Sequence, residues 1–252
     1  MTRYAEYDTF AWIYNRYWGP DAVQRFLPVV EKLVVPHLPP GAHVLDLCCG
    51  TGHLAQALAE RGYQVTGIDA SEEMIRFARI NAPNVDFLIE DARQFHLPGT
   101  YHAAVSTYDS LNHVTSLKEL TQVFQNVAAC LQDTRLFLFD LNMEEGYGAR
   151  WRGSFGIVED DHVCVVRASF QESEKVGQTA ITIFRSEGGV WLRSDIKLVQ
   201  QCYAEHEIKS ALEAAGFMDL QVYDAQADLG WSREVGRAFF LSRKLGRNTS
   251  GG

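Results

Sequence analysis

The sequence predicts an α/β fold: a doubly wound, mostly parallel seven-stranded sheet, preceded by N-terminal helices and interrupted by an antiparallel β cap insertion. Three observations lead there. From His43 onward, short apolar runs alternate with amphipathic stretches of helical period, which implies a parallel sheet covered on both faces. A glycine turn, Gly50-x-Gly52-x-x-Ala55, joins the first apolar run to the first of those stretches. Between Gly156 and Gln200 the period changes to two, in β-branched and aromatic runs separated by polar turns such as "QESEKVG" and "SEGG".

Residues 1–40 read as two helices. Tyr7, Phe10, Tyr14 and Tyr17 recur three and four apart and give one aromatic face, expected to dock on the sheet. A second helical run follows Pro20 and stops before "HLPPG". The core is expected over 41–145 and 201–245. "HVLDLC" is its first strand, "HLAQALAERG" a helix ended by Gly62, and "QVTGID" a second strand. "SEEMIRFARINA" is a helix with Ser71 as N-cap and Met74, Ile75 and Ala78 inward. "VDFLIED" and "YHAAVSTYD" are the third and fourth strands, "SLKELTQVFQNVAACLQ" an amphipathic helix, and "TRLFLFDLN" the fifth strand. The cap, 146–200, holds about three strands. "AEHEIKSALEAAGF" is then a helix closed by Gly216, and "MDLQVYDA" and "RAFFLSRK" are two last strands. The tail, 246–252, reads as disordered.

The chain has 252 residues, 46% of them hydrophobic, enough for one large domain with an insertion. A formal net charge of −9 argues against tight binding to a nucleic-acid backbone, which needs clustered Lys and Arg. Five cysteines, Cys48, Cys49, Cys130, Cys164 and Cys202, form no C-x-x-C pair and join no His cluster, so neither a disulfide framework nor a metal site is expected. The N-terminus lacks the basic start and apolar run of a signal peptide, and no apolar stretch reaches membrane-span length. The expectation is a reduced, cytoplasmic protein of open oligomeric state.

A glycine turn between strand and helix lets a ligand approach backbone N–H groups. Asp46 stands four residues before Gly50, and no Lys or Arg occurs between Gly41 and Glu60. A carboxylate there repels a pyrophosphate and suits a ligand with positive charge. S-adenosylmethionine, with an ammonium, a sulfonium and one carboxylate, meets that description. Asp69 ends the second strand 19 positions after Gly50, where it can take ribose hydroxyls, a spacing shared with NAD sites. Asp91, in "EDA", ends the third strand, where an acid can accept from an adenine amino group. NAD-dependent oxidoreduction therefore stays open as a second reading, with Asp46 and Asp91 as the discriminating residues.

"VLDLCCGTGHLA", "VTGIDASEEMI", "FLIEDARQF" and "HAAVSTYDSLNHV" resemble, in order, the cofactor motifs of class I S-adenosylmethionine-dependent methyltransferases. The resemblance covers about residues 42–142 and implies a Rossmann-like core. The cap leading into "SDIKLVQQCYAEHEIKSALEAAGF" is similar to small-molecule N-methyltransferases, including those acting on amino sugars. On that resemblance Gly50 and Gly52 approach the methionyl part of S-adenosylmethionine, with Asp46 and Cys48 beside them. Asp69, with Ala70 and Met74 after it, binds at the ribose, and Asp91 and Ala92 hold adenine. Ser106 and Tyr108 lie near the donor methyl. The N-terminal helix closes over the cofactor and brings Tyr14 to the methionyl group, with a cation–π contact to sulfonium as a possible benefit. S-adenosylhomocysteine is the implied product and a small molecule the implied acceptor, with oxygen or a macromolecule as alternatives to an amine nitrogen.

In-line methyl transfer asks the protein chiefly for alignment and exclusion of water. A proton from an amine can pass to a side chain or to water. His113 is the candidate base or orienting group, Tyr108 the second catalytic candidate, and Asp109 a carboxylate able to steer a cationic amine. Asn112 reads equally as a helix cap, and Tyr203 and His206 as helix-start residues. No N-P-P-Y-like tetrapeptide and no Pro-Cys pair supports a nucleic-acid methyltransferase. Trp151, Arg152, Phe155, Arg167, Phe184, Arg185, Trp191 and Arg193 supply the cap with groups able to grip a ring or an anion. The cap is expected to govern acceptor choice and to leave cofactor affinity nearly unchanged.

Overall fold

A computed structural model describes residues 5–246; most of the tail expected to be disordered lies outside them. The N-terminal segment is one helix, α1 (Ala5–Leu33), and not two. It runs through Pro20 and Pro28, because packing along both halves outweighs the lost backbone bonds. Gly19 permits a close approach there: a Cβ would sit 2.6 Å from the His53 ring and 2.8 Å from Thr51.

The core follows the expected alternation. β1 (His43–Leu47) leads through the glycine turn to α2 (His53–Ala59), and β2 (Gln64–Asp69) to α3 (Glu72–Asn81). Ser71 caps α3, its hydroxyl accepting from Met74 N–H at 3.1 Å. β3 (Asp86–Ile89), β4 (Tyr101–Ser106), α4 (Leu117–Cys130) and β5 (Leu131–Asn142) complete the parallel part. After the cap come α6 (Glu205–Ala214), β10 (Phe217–Asp224) and β11 (Arg237–Lys244). The seven-stranded order is β10-β11-β5-β4-β1-β2-β3, with β11 antiparallel to both neighbours. The order reverses between β1 and β4, so a crevice opens at their C-terminal ends, where ligands of open α/β sheets bind.

The region expected as three cap strands begins with a short helix, α5 (Glu144–Arg150), which two glycines made illegible as a helix. Four strands follow: β6 (Gly153–Val158), β7 (His162–Gln171), β8 (Val176–Glu187) and β9 (Val190–Gln201). They form a separate antiparallel sheet in that order. The acidic turn Glu159–Asp161 splits what reads as one long run into β6 and β7.

Two apolar clusters cover the two faces of the main sheet, one under α4 and α6 and the other under α2, α3 and the second half of α1. The first half of α1 packs elsewhere than expected. Phe10, Ala11 and Ile13 join Cys164, Val166, Ile181, Ile183, Ile196 and Leu198 of the cap sheet, with Met74 of α3. The aromatic face of α1 thus packs against the cap sheet, with Tyr14 also reaching Gly50 and Tyr108 of the core. Among the described residues no helix is long and apolar enough to cross a membrane. Among them, too, no group of three His, Cys, Asp or Glu side chains could hold a metal.

Candidate active site

The glycine turn is shaped by backbone that side chains disfavour. Cys48, Gly50 and Gly52 have φ of 60°, 53° and 76°. Gly50 N–H donates to Asp69 Oδ2 at 3.0 Å, and Ser71 N–H to Asp69 Oδ1 at 3.0 Å. These bonds fix the carboxylate at the crevice while burial pushes its pKa up. A Cβ on Gly50 would meet the Tyr14 ring at 3.2 Å, so α1 roofs this turn with Tyr14. Asp46 lies beneath it, 2% exposed. Burial, then the neighbouring Asp69, pushes its pKa up to about 7. Its Oδ2 has no hydrogen-bond partner, nor has the buried Ser106 Oγ at the end of β4.

A cavity of about 750 Å³ opens over the crevice. Tyr14, Cys48, Gly50, Asp69, Ala70, Met74, Asp91, Ala92, Tyr108 and His113 line it together. Asp46, Gly52 and Ser106 are not among its lining residues. Gly52 is a packing position, since a Cβ would lie 2.9 Å from both Ala78 and Phe87. Cys48 and Cys49 are free thiols whose pKa burial raises, which removes them as nucleophiles. Asp91 is not an open acceptor. Arg93 grips it from Nε at 2.8 Å to Oδ1 and from Nη2 at 2.6 Å to Oδ2.

The opposite wall is ionic. Tyr108 and Asp109 stand in the left-handed region, with φ of 69° and 49°. Arg237, at the start of β11, donates to Asp109 at 2.7 Å and to Glu234 at 2.8 Å, and also to Asp140. Glu234 is shared with Arg25 and, at 3.1 Å, with Arg150. Burial works to raise the Asp109 pKa, but Arg237 and the Gln200 amide outweigh it and hold the carboxyl ionised. Asp140, deeper, is pushed up to about 6 by burial against the pull of Arg237. Asp109, expected to steer an amine, is thus already neutralised by a guanidinium.

Burial lowers the His113 pKa, with Asp109 opposing, so the ring is neutral. Asn112 caps no helix. Its amide donates to Gln201 O at 2.9 Å and accepts from Asn142 N–H at 2.9 Å, stapling the cap to β5. Tyr203 is buried in the core, bonded to Val114 O, and His206 is exposed. Of the cap groups singled out, Trp151 and Phe155 line the cavity; Arg152, Arg167, Phe184, Arg185, Trp191 and Arg193 do not. Sequence reading missed Arg25, Arg93, Arg150, Gln200, Glu234 and Arg237. Only Arg93 had a local signal, directly after "EDA".

The donor half fits S-adenosylmethionine. Gly50 leaves the space a Cβ would fill, and Asp69 keeps lone pairs for ribose hydroxyls. The Asp46 carboxyl beneath the turn, with one oxygen unpartnered, suits a cationic ligand, whose charge would favour its ionised form.

Residues 44–134 match the family described as a methyltransferase domain. The Bacillus subtilis protein YqeM, assigned as a methyltransferase, is 28% identical over 243 residues, 94% of this chain and 97% of its own. The ubiquinone biosynthesis O-methyltransferase of Xanthomonas axonopodis pv. citri is 33% identical over 150 residues, 55% of this chain and 61% of its own. A Clostridium acetobutylicum S-adenosylmethionine-dependent methyltransferase shares the fold with a TM-score of 0.78 at 22% identity, over 95% of this chain and 99% of its own. So does CalS10, an amino pentose methyltransferase from Micromonospora echinaspora, with a TM-score of 0.71 at 20% identity over 94% and 96%. The methyltransferase domain matched over residues 44–134 and the relative matched along 94% of the chain support an S-adenosylmethionine-dependent methyltransferase.

Proposed function

We propose that the enzyme methylates an amine nitrogen of a small molecule. The observation that carries this reading is the roof. α1 and the cap sheet close the crevice into a cavity of about 750 Å³, a size that suits a small metabolite beside the cofactor. The choice of nitrogen is supported by a neighbour of like fold, KedS8 from Streptoalloteichus, a sugar N-methyltransferase that covers 88% of this chain.

When bound, S-adenosylmethionine supplies a methyl group on a sulfonium leaving group. In this reading Asp69 takes the ribose, and Gly50 receives the methionyl part under Tyr14. Ala92, with Asp91 held by Arg93, borders the adenine. Tyr108 faces the donor methyl, and Trp151 and Phe155 border the acceptor. These groups orient the reactants and exclude water, which can supply much of the acceleration of a displacement.

Incubating the enzyme with methyl-labelled donor and a total cell extract, then dialysing, tests the acceptor's size. Label is expected in dialysable products resolved from unreacted donor by chromatography, with matching S-adenosylhomocysteine. Label retained only on protein or nucleic acid would reject the reading.

A further inference from the structure

Gln200, the last residue of the cap insertion, is where cap, core and N-terminal helix meet. It is 3% exposed, and both polar atoms of its amide are engaged. Nε2 donates to Asp109 Oδ2 at 2.5 Å and lies 2.9 Å from His113 Nε2. Oε1 accepts from the Tyr147 hydroxyl at 2.8 Å and from Asn142 Nδ2 at 3.5 Å. The reverse orientation would set a carbonyl against the Asp109 carboxylate, so the network assigns the amide's direction.

Two consequences follow for the donor wall. An amide nitrogen only donates, so His113 Nε2 must offer its lone pair to Gln200, and the ring proton sits on Nδ1. There it meets Val199 O at 3.1 Å, with the Tyr7 hydroxyl 2.8 Å from the same nitrogen. A lone pair held in this way is not available to take a proton from an acceptor. The second consequence concerns Tyr108 and Asp109, consecutive non-glycine residues at positive φ. Left-handed backbone disfavours each, and anchoring of Asp109 by Gln200, Arg237 and Asp140 holds the turn.

We propose that Gln200 is a positioning residue for methyl transfer: from the cap it locks His113 as a strut with the proton on Nδ1 and pins the turn that aims Tyr108 at the donor. The proposal rests on the reading that Tyr108 faces the donor methyl. It makes His113 a support between α1, cap and core, and leaves the acceptor's proton to solvent.

The test uses the full chain labelled with ¹⁵N-histidine, saturated with S-adenosylhomocysteine, in long-range ¹H–¹⁵N correlation spectra. The His113 signals are assigned by their loss in His113→Asn. The wild type is expected to show the Nδ1–H tautomer. Gln200→Glu, which sets a carboxylate against Nε2, is expected to protonate that nitrogen. A wild-type ring with its proton on Nε2 would overturn the proposal, whether or not any variant folds. In turnover assays His113→Asn, which keeps a donor toward Val199 O, is expected to retain at least about a tenth of kcat. Loss of a general base removes about a hundredfold or more, so a fall of that size would also overturn it. Failure of the wild type to bind S-adenosylhomocysteine would instead count against the donor-site reading.

Discussion

Asp46 is a carboxyl group placed where water cannot solvate it, with one oxygen unpartnered and Asp69 nearby. Its folded-state pKa of about 7 lies above the ordinary 3.8, so the folded chain holds the proton more tightly than the unfolded chain does. Below about pH 4 both states are protonated and the residue is neutral in its effect. As pH rises toward 7 the unfolded state ionises first, and stability is lost through that window. Asp46→Asn keeps the shape and removes the titration. In urea melts without cofactor the variant should match wild type near pH 4 and exceed it by roughly 4 kcal/mol near pH 8, since each pKa unit is worth about 1.4 kcal/mol. A difference independent of pH would contradict this account of Asp46. Gly50 and Asp69 were legible because their signal is local: a turn, a strand end and a fixed spacing. Arg237 and Gln200 were not, because their carboxylate partners stand 97 and 91 positions away. Nothing in the sequence around them marks either as more than a strand residue.

The elements that matter most to the site are α1 and the cap sheet, and they form one unit. Cap residues Cys164, Val166, Ile181 and Ile196 bury the α1 stretch that carries Phe10 and Ile13, and Tyr14 on that stretch roofs Gly50. Cofactor affinity is therefore expected to depend on the cap, whereas the sequence alone leads to the expectation of an affinity nearly unchanged by it. Replacing 156–200 by a Gly-Ser linker should free the first half of α1 and weaken S-adenosylhomocysteine binding in calorimetry by at least about tenfold. That fold-change is about 1.4 kcal/mol, within reach of losing the apolar burial of the ligand under one aromatic ring. A folded variant with wild-type affinity would contradict the coupling. Periodicity identified the core strands, the alternation with helices and the β character of the cap. It could not show which sheet the aromatic face of α1 meets, because an amphipathic face records burial and not the partner. Prolines also split α1 into two on paper, where packing along both halves keeps it continuous.

At the scale of the molecule, the strand-end wall of the cavity, proposed to hold the donor, was legible, and the ionic wall opposite, proposed to face the acceptor, was not. The donor half is built from consecutive strand ends of one sheet, so order along the chain translates into position around the crevice. The acceptor half gathers α1, the turn after β4, α5, β9 and the approach to β11, and its ionic wall exists only after they pack. That wall is largely self-neutralising, so the acceptor is expected to be selected by shape and by its nucleophile. The central claim, methyl transfer from S-adenosylmethionine to a small amine, is tested most directly by following a ¹³C-methyl donor by NMR. Purified enzyme is given pooled small-molecule amines, alcohols and carboxylates, and the chemical shift of the transferred carbon is read. The account predicts a signal in the N-methyl region that grows in step with S-adenosylhomocysteine. A product carrying its label as an O-methyl ether or ester, with none on nitrogen, would contradict it.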